Sequence, residues 1–235
     1  MITGIVVALP EELKTLTSKR IDKGHCVFIA DKLLVAYSGA GYNNAALATE
    51  LLISKGATQL MSWGCAAALS TLLKSGDLVL PDSLIDVDDK VMLVDQAWHD
   101  YAKSFLMSFT NVKVGKLTES TTIISSSREK QQLELITGSI ALDMESIAIA
   151  KVAEKKGLPF LAIRVIVDPV NMDLPRAVSY ALSPDGYIIL HKLILFLILH
   201  PIELSGLIRL GLYFNNAQST LKRIAKQLEI LCDFK

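Results

Sequence analysis

The sequence predicts an α/β protein in which a central sheet is covered by helices. Three observations lead there. Short runs rich in Val and Ile alternate with segments whose apolar residues recur at three- and four-residue spacing. Some runs, such as Phe160-Leu161-Ala162-Ile163, are apolar throughout, as strands buried on both faces are. Hydrophobic residues make up 51% of the chain and charged ones 20%, the opposite of a disordered composition, and 235 residues can bury a substantial core without staples.

Taken in order, residues 4–9, 26–30, 33–38 and 59–63 read as strands, with a helix over 42–55 between the third and the fourth. Strands at 77–80 and 112–117 follow with few helices around them, which predicts a mixed sheet curling towards a barrel. Helices are expected over 128–137 and 145–156, and a last buried strand over 160–167. From Tyr187 to Phe214 the chain is nearly all aliphatic, with cap residues Asp185-Gly186 before it and a break at Pro201. The run from Ile188 to Leu199 contains Lys192 and has only about half the length of a membrane span. Two readings of this segment stay open: a core or dimer-interface helix, or an apolar surface that meets lipid or a lipid-like substrate. An amphipathic helix over 217–231 closes the chain. Residues 1–235 are expected to form one domain, with 186–214 as its strongly apolar C-terminal helical segment.

Composition narrows the function. Twenty-four basic residues balance 24 acidic ones, so the chain lacks the basic field of a nucleic-acid binder. Three scattered cysteines and the absence of a signal peptide point to a reducing, cytoplasmic setting. The four histidines show no ligand spacing with one another or with cysteine, so no metal site is expected.

Four clusters have residue types suited to chemistry. Ala8-Leu9-Pro10-Glu11-Glu12 follows the first strand, where sites of α/β sheets form; taken alone, a plain helix start, with Pro and acids in the first turn, is the simpler account. Ser38-Gly39-Ala40-Gly41-Tyr42-Asn43-Asn44 joins a strand to a helix. Its glycines let backbone amides approach a ligand, although it is neither a Walker loop nor a full dinucleotide fingerprint. In Ser62-Trp63-Gly64-Cys65-Ala66-Ala67-Ala68, Cys65 is a nucleophile by type, but no nearby base is visible and a small buried thiol fits better. The fourth cluster pairs Asp143-Met144-Glu145-Ser146 with Arg164-Val165-Ile166-Val167-Asp168-Pro169. Asp143 can cap the following helix, with Glu145 in its first turn, kept ionised by the dipole. Asp168 ends a buried strand, and Pro169 holds it extended. A carboxyl in such apolar surroundings has a raised pKa, which suits a general acid.

Read in order, Gly4–Glu12, Ser38–Gly41, Gly64–Leu69, Ser75–Val79, Asp143–Glu145 and Arg164–Asp168 resemble the nucleoside phosphorylase and nucleosidase superfamily, which includes the methylthioadenosine/adenosylhomocysteine nucleosidases. Asp168-Pro169, Ala181–Gly186 and Leu207–Leu210 are most similar to the hopanoid-associated phosphorylases. The resemblance implies a three-layer α/β/α sandwich around a mixed, partly barrel-like sheet, and cleavage of a purine N-ribosidic bond. Carried over by motif, Asp168 would protonate purine N7, Glu145 would hold the ribose hydroxyls with Met144 packing on the sugar, and Glu12 would orient or activate water. Gly39, Gly41 and Cys65 would line the nucleophile or phosphate loop. Cys65 stands where many relatives have Ser or Thr, Ala67-Ala68 replaces a Gly pair, and no Arg lies near either glycine loop in sequence. Arg164 belongs to a strand motif that hydrolytic members share, and reads as structural. These departures favour water, with inorganic phosphate the alternative co-substrate and no cofactor.

Three functions follow as expectations. The leading one is cleavage of an adenosine-type substrate linked to lipid, adenosylhopane, giving adenine and a ribosyl- or phosphoribosyl-hopane. The second is a soluble methylthioadenosine/adenosylhomocysteine-type nucleosidase. The third, from another class, is a non-catalytic nucleoside- or lipid-binding protein on the same scaffold. A homodimer and peripheral membrane contact through 187–214 are the expected associations.

Overall fold

The structure, a computed structural model, describes residues 1–181 and 190–234. Strands β1 (Thr3–Val7), β2 (His25–Ala30), β3 (Leu33–Tyr37), β4 (Gln59–Ala68), β5 (Leu78–Ile85), β6 (Val91–Leu93), β7 (Val112–Glu119), β8 (Ala141–Asp143) and β9 (Phe160–Asp168) form one sheet. Its pairing runs β2-β3-β1-β4-β8-β7-β5-β6, and β9 pairs with both β4 and β5. The path β4-β8-β7-β5-β9 therefore closes on itself, which is the predicted barrel, with β1, β3 and β2 extending from it as an open sheet. Parallel and antiparallel pairs coexist: β1 is parallel to β3 and β4, and β4 to β9, whereas β5 and β9 are antiparallel.

Helices cover both faces. On one side α2 (Tyr42–Ser54) and α5 (Ser146–Lys156) lay Ala45, Ala48, Leu52, Ile147 and Ala150 onto the sheet. On the other, α1 (Pro10–Leu16), α3 (Gln96–Met107) and the second half of α8 (Glu203–Ala225) bury Leu13, Trp98, Ala102, Leu106, Ala217, Leu221 and Ile224. This is the three-layer arrangement. Helix α4 (Ser127–Thr137) starts at a Ser126 cap and stops at Gly138, whose φ of 64° lies in the left-handed region where glycine is the favoured residue. The short α6 (Arg176–Ala181) leads towards α7 (Leu190–Leu199), and α9 (Leu228–Leu231) follows α8.

The structure differs from the sequence reading in four places. Helix α3 lies between the strands expected at 77–80 and 112–117, where few helices and no particular one were expected. Its Asp95 cap accepts from Trp98 N at 2.8 Å, and its buried Trp98, Ala102 and Leu106 recur every four residues. Strands β6 and β8 are too short for any periodicity to reveal. Strand β4 runs five residues beyond 63, because the small residues Gly64 to Ala68 let β9 and β8 pair on either side of it. The expected last helix, 217–231, begins at Glu203 and breaks before Leu228. Pro201 does interrupt the apolar segment, between α7 and α8. The Asp185-Gly186 caps and residues 187–189 lie outside the described residues.

Candidate active site

Parallel strands β1, β3, β4 and β9 place their carboxyl ends at one edge. Glu12 and Gly39–Gly41 lie in the segments after β1 and β3, Asp168 ends β9, Cys65 lies within β4, and Glu145 follows β8, which is antiparallel to β4. Val7 is level with Tyr37 on β3 and with Trp63 on β4, so the loops carrying Glu12 and Gly39–Gly41 leave the sheet beside β4. Ala67 is level with both Leu142 and Asp168, which brings β8, the segment leading to Glu145, and the end of β9 into one row.

Glu12 sits at the third position of α1 and does two things. Its Oε2 accepts from Leu9 N at 3.0 Å, the backward half of a capping box. Its Oε1 accepts from Cys65 N at 2.7 Å across the loop. Burial raises its pKa, against the lowering effect of the Arg164 guanidinium and of backbone amides. Gly64 makes this approach feasible: a Cβ there would lie 2.5 Å from Glu12 Oε1 and 2.6 Å from Arg164 Nη1. The Cys65 thiol is half-buried and pushed well above its usual pKa, first by burial and then by Glu12 beside it. It is a poor nucleophile in that setting.

Arg164 is the hub. Fully buried in the interior of β9, it pairs through Nε with Asp143 Oδ2 at 2.6 Å. Its Nη2 donates to Ser62 Oγ at 2.5 Å and to Ser146 Oγ at 3.0 Å. Asp143 also accepts from Ser146 N at 3.2 Å, but the N-cap position of α5 that it was expected to fill belongs to Glu145, whose side chain makes no cap hydrogen bond. The guanidinium is thus structural in its contacts and electrostatic in its reach, stabilising charge on Glu12, Asp143 and Glu145 together.

Glu145 occupies the N-cap position of α5, one residue before the first turn where it was expected. Its Oε1 accepts from Gly41 N at 2.9 Å, which ties the glycine loop to the α5 terminus. Gly41 holds φ at 96° to aim that amide. The expectation that the helix dipole keeps Glu145 ionised is corrected: burial, followed by the neighbouring Asp143 charge, raises its pKa to about 7, outweighing Arg164 and the Gly41 hydrogen bond. Met144 beside it is half-buried.

Asp168 is buried, and burial raises its pKa to about 6 against the lowering effect of Lys130. Its Oδ2 forms an ion pair with Lys130 Nζ at 2.7 Å, without the alignment of a hydrogen bond, and its Oδ1 has no partner among the described residues. Sequence reasoning missed Lys130, the hydroxyls of Ser62 and Ser146, and Lys23, whose side chain packs against Gly39. Nothing in Arg128-Glu129-Lys130 marks the one residue of the three that is buried. Among the described residues no His, Cys, Asp and Glu cluster suited to a metal ion is present.

Comparison with known proteins gives the family and the fold. A profile described as the phosphorylase superfamily matches residues 3–185. The 5′-methylthioadenosine/S-adenosylhomocysteine nucleosidase of Thermotoga maritima is 26% identical over 145 residues, 59% of this chain and 66% of that enzyme, a little under two thirds of its length. The Staphylococcus aureus nucleosidase of the same name is 26% identical over 198 residues, 72% of this chain and 86% of that one. In fold, the chain superposes on a Helicobacter pylori 5′-methylthioadenosine/S-adenosylhomocysteine nucleosidase with a TM-score of 0.72 and 20% identity, covering 98% of this chain and 97% of that one. It superposes on the futalosine hydrolase of Helicobacter pylori with a TM-score of 0.73 and 19% identity, with the same coverage.

Proposed function

The chain belongs to the phosphorylase superfamily, and from that premise we propose that it is a nucleosidase that hydrolyses the N-ribosidic bond of an adenosine-type nucleoside, of the 5′-methylthioadenosine/S-adenosylhomocysteine kind. The observation that carries this reading is three buried carboxyl groups, Glu12, Glu145 and Asp168, at one sheet edge, each with its pKa raised by burial. Cleavage needs such a division of labour. The ribosyl group departs with oxocarbenium character, so the base must gain a proton while the nucleophile waits on the opposite face, as in glycoside hydrolysis.

Asp168 suits the acid. One oxygen is anchored by Lys130, the other is unpartnered, and a pKa of about 6 leaves a usable protonated fraction near neutrality. Glu145, fixed by Gly41 N–H, has further lone pairs for the ribose hydroxyls. Glu12 is oriented by two backbone amides and made more basic by burial, which suits activation of water. Met144 is assigned to the sugar face, and Gly39, Gly41 and Cys65 to the wall around the nucleophile. The test is incubation with 5′-methylthioadenosine and S-adenosylhomocysteine, with and without phosphate, and mass analysis of the products. Free adenine and a free 5-substituted ribose at equal rates in both conditions are expected. An absolute phosphate requirement with a ribose 1-phosphate product would replace hydrolysis by phosphorolysis, the reading that Lys23 against Gly39 would favour.

A second reading concerns the 5′ substituent. Ile194, Leu195, Ile198 and Leu199 of α7, Ile202, and Leu204, Ile208 and Leu212 of α8 are exposed. So much aliphatic surface fits a lipid-linked nucleoside such as adenosylhopane, drawn from a membrane by a cytoplasmic enzyme. A homodimer would cover the same face. Adding adenosylhopane to the assay separates the first two readings, and no cleavage of any of the three nucleosides would leave a non-catalytic binding protein.

A further inference from the structure

We propose that Lys130 is a positioning residue that acts through Asp168, anchoring one carboxyl oxygen so that the other is presented to the purine. The inference rests on the reading of Asp168 as general acid and adds to it a residue from a different element.

The geometry is specific. Lys130 lies in the first turn of α4 and is wholly buried, although Arg128, Glu129, Gln131 and Gln132 around it are exposed. Its ammonium meets three acceptors: Asp168 Oδ2 at 2.7 Å, the Met172 carbonyl at 2.8 Å and the Pro169 carbonyl at 3.4 Å. Of the three N–H donors of an ammonium, two go to these backbone carbonyls, and the charge is paired with Asp168. All three acceptors belong to the end of β9 or the loop after it. The same loop is stitched to the start of α4 twice more, by Ser127 N on Asp173 Oδ1 at 2.6 Å and by Leu174 N on Ser125 O at 2.8 Å. A buried ammonium is costly unless paired and hydrogen-bonded, so a solvent-facing lysine at this position would be the ordinary outcome. Here the cation is instead committed to fixing Asp168 and the segment that follows it.

The charge has a second consequence. The charged groups that act on Asp168 are Lys130 from α4, which lowers its pKa, and Asp173 from the loop after β9, which raises it; burial raises it further. Without the Lys130 charge, burial and Asp173 act unopposed, and Asp168 keeps its proton to higher pH.

The experiment compares wild type, Lys130→Met, Lys130→Arg and Asp168→Asn on 5′-methylthioadenosine, or on whichever adenosine-type nucleoside proves to be cleaved, across pH 5 to 9, with folding checked by circular dichroism. For Lys130→Met the alkaline limb of kcat should move up by about one pH unit or more. Its kcat at the optimum should fall roughly tenfold or more, with little change in KM, because the acid is misplaced. Lys130→Arg should keep the limb near its wild-type position. A merely structural lysine would lower activity equally at every pH and leave the limb in place, which overturns the proposal. Should Lys130→Met fail to fold, Lys130→Gln, which keeps a donor for the Met172 carbonyl, is read by the same criteria. If Asp168→Asn is inactive and the limb of the lysine variant is unmoved, the Lys130 inference alone fails. If Asp168→Asn retains turnover, the assignment of the general acid fails first.

Discussion

Asp168, Glu145 and Glu12 show how burial rather than residue type sets the chemistry of a carboxyl group. Replacing Asp168 by Asn keeps its shape and removes its proton; turnover should fall by roughly two to four orders of magnitude with substrate binding retained, as single-turnover kinetics and a binding titration would show. Glu145→Gln removes a charged acceptor for two hydroxyls, so activity on ribosides should drop much more than on 2′-deoxyribosides, and equal losses would reject the ribose assignment. The same variant makes a stability prediction. Glu145 has its folded pKa raised to about 7 from 4.5, so the folded state binds its proton more tightly than the unfolded chain does. Its favourable contribution is fully present below pH 4.5 and is lost as pH rises through about 7. A neutral Gln escapes that loss. Glu145→Gln should therefore be more stable than wild type at pH 8 relative to pH 4, by up to about 3 kcal/mol, measured by denaturant unfolding at the two pH values.

At the scale of elements, β4 and β9 carry the site because their interiors hold small and charged residues in register. Gly64 is level with Arg164, and the absence of a side chain on β4 leaves room for the guanidinium and for Glu12 together. Gly64→Ala should push those groups apart and lower kcat at least roughly tenfold, the order expected for a displacement well under an ångström to one ångström in a catalytic group. Wild-type turnover in a folded Gly64→Ala protein would show that Glu12 tolerates displacement and has no part in the chemistry. The α5 terminus is built on the same principle. Asp143 accepts from the Ser146 amide and hydroxyl, and Arg164 neutralises it, so the first residue of a helix and the buried charges beside it are one network.

For the whole molecule the unusual feature is the apolar surface of α7 and the first half of α8. The second half of α8 buries Ala217, Leu221 and Ile224 against the sheet, whereas the first half meets Arg176 and Pro175 through Glu203 and Gly206 and exposes Leu204, Ile208 and Leu212. Among the described residues no helix is long and apolar enough to cross a membrane. Contiguous exposed apolar faces are places where proteins associate with lipid or with one another. On the lipid-linked reading the wild type should co-sediment with hopanoid-containing liposomes, and a variant with Ile198, Leu199 and Ile202 changed to Ser should stay in the supernatant. Phe196 is left unchanged because its ring packs on Tyr180 at 5.0 Å and on His200 at 4.3 Å between centroids. A wild type that remains in the supernatant as a stable dimer would assign the face to a subunit contact.

The alternation of strands and helices, the barrel-forming mixed sheet, and the places of Glu12, Gly39–Gly41, Glu145 and Asp168 near the ends of elements could be read from the order of residues. These were legible because apolar periodicity, glycines at turns and a proline after an acid act locally, within a few residues of where their signal lies. The same order placed the break at Pro201. Tertiary structure alone decided which polar groups are buried together. No local pattern distinguishes Lys130 from the lysines left in solvent, or pairs Arg164 with Ser62 and Ser146 across 102 and 18 positions of chain. The proton affinities of the three carboxyl groups belong to the same class, since desolvation is a property of everything packed around a group and not of its neighbours in sequence.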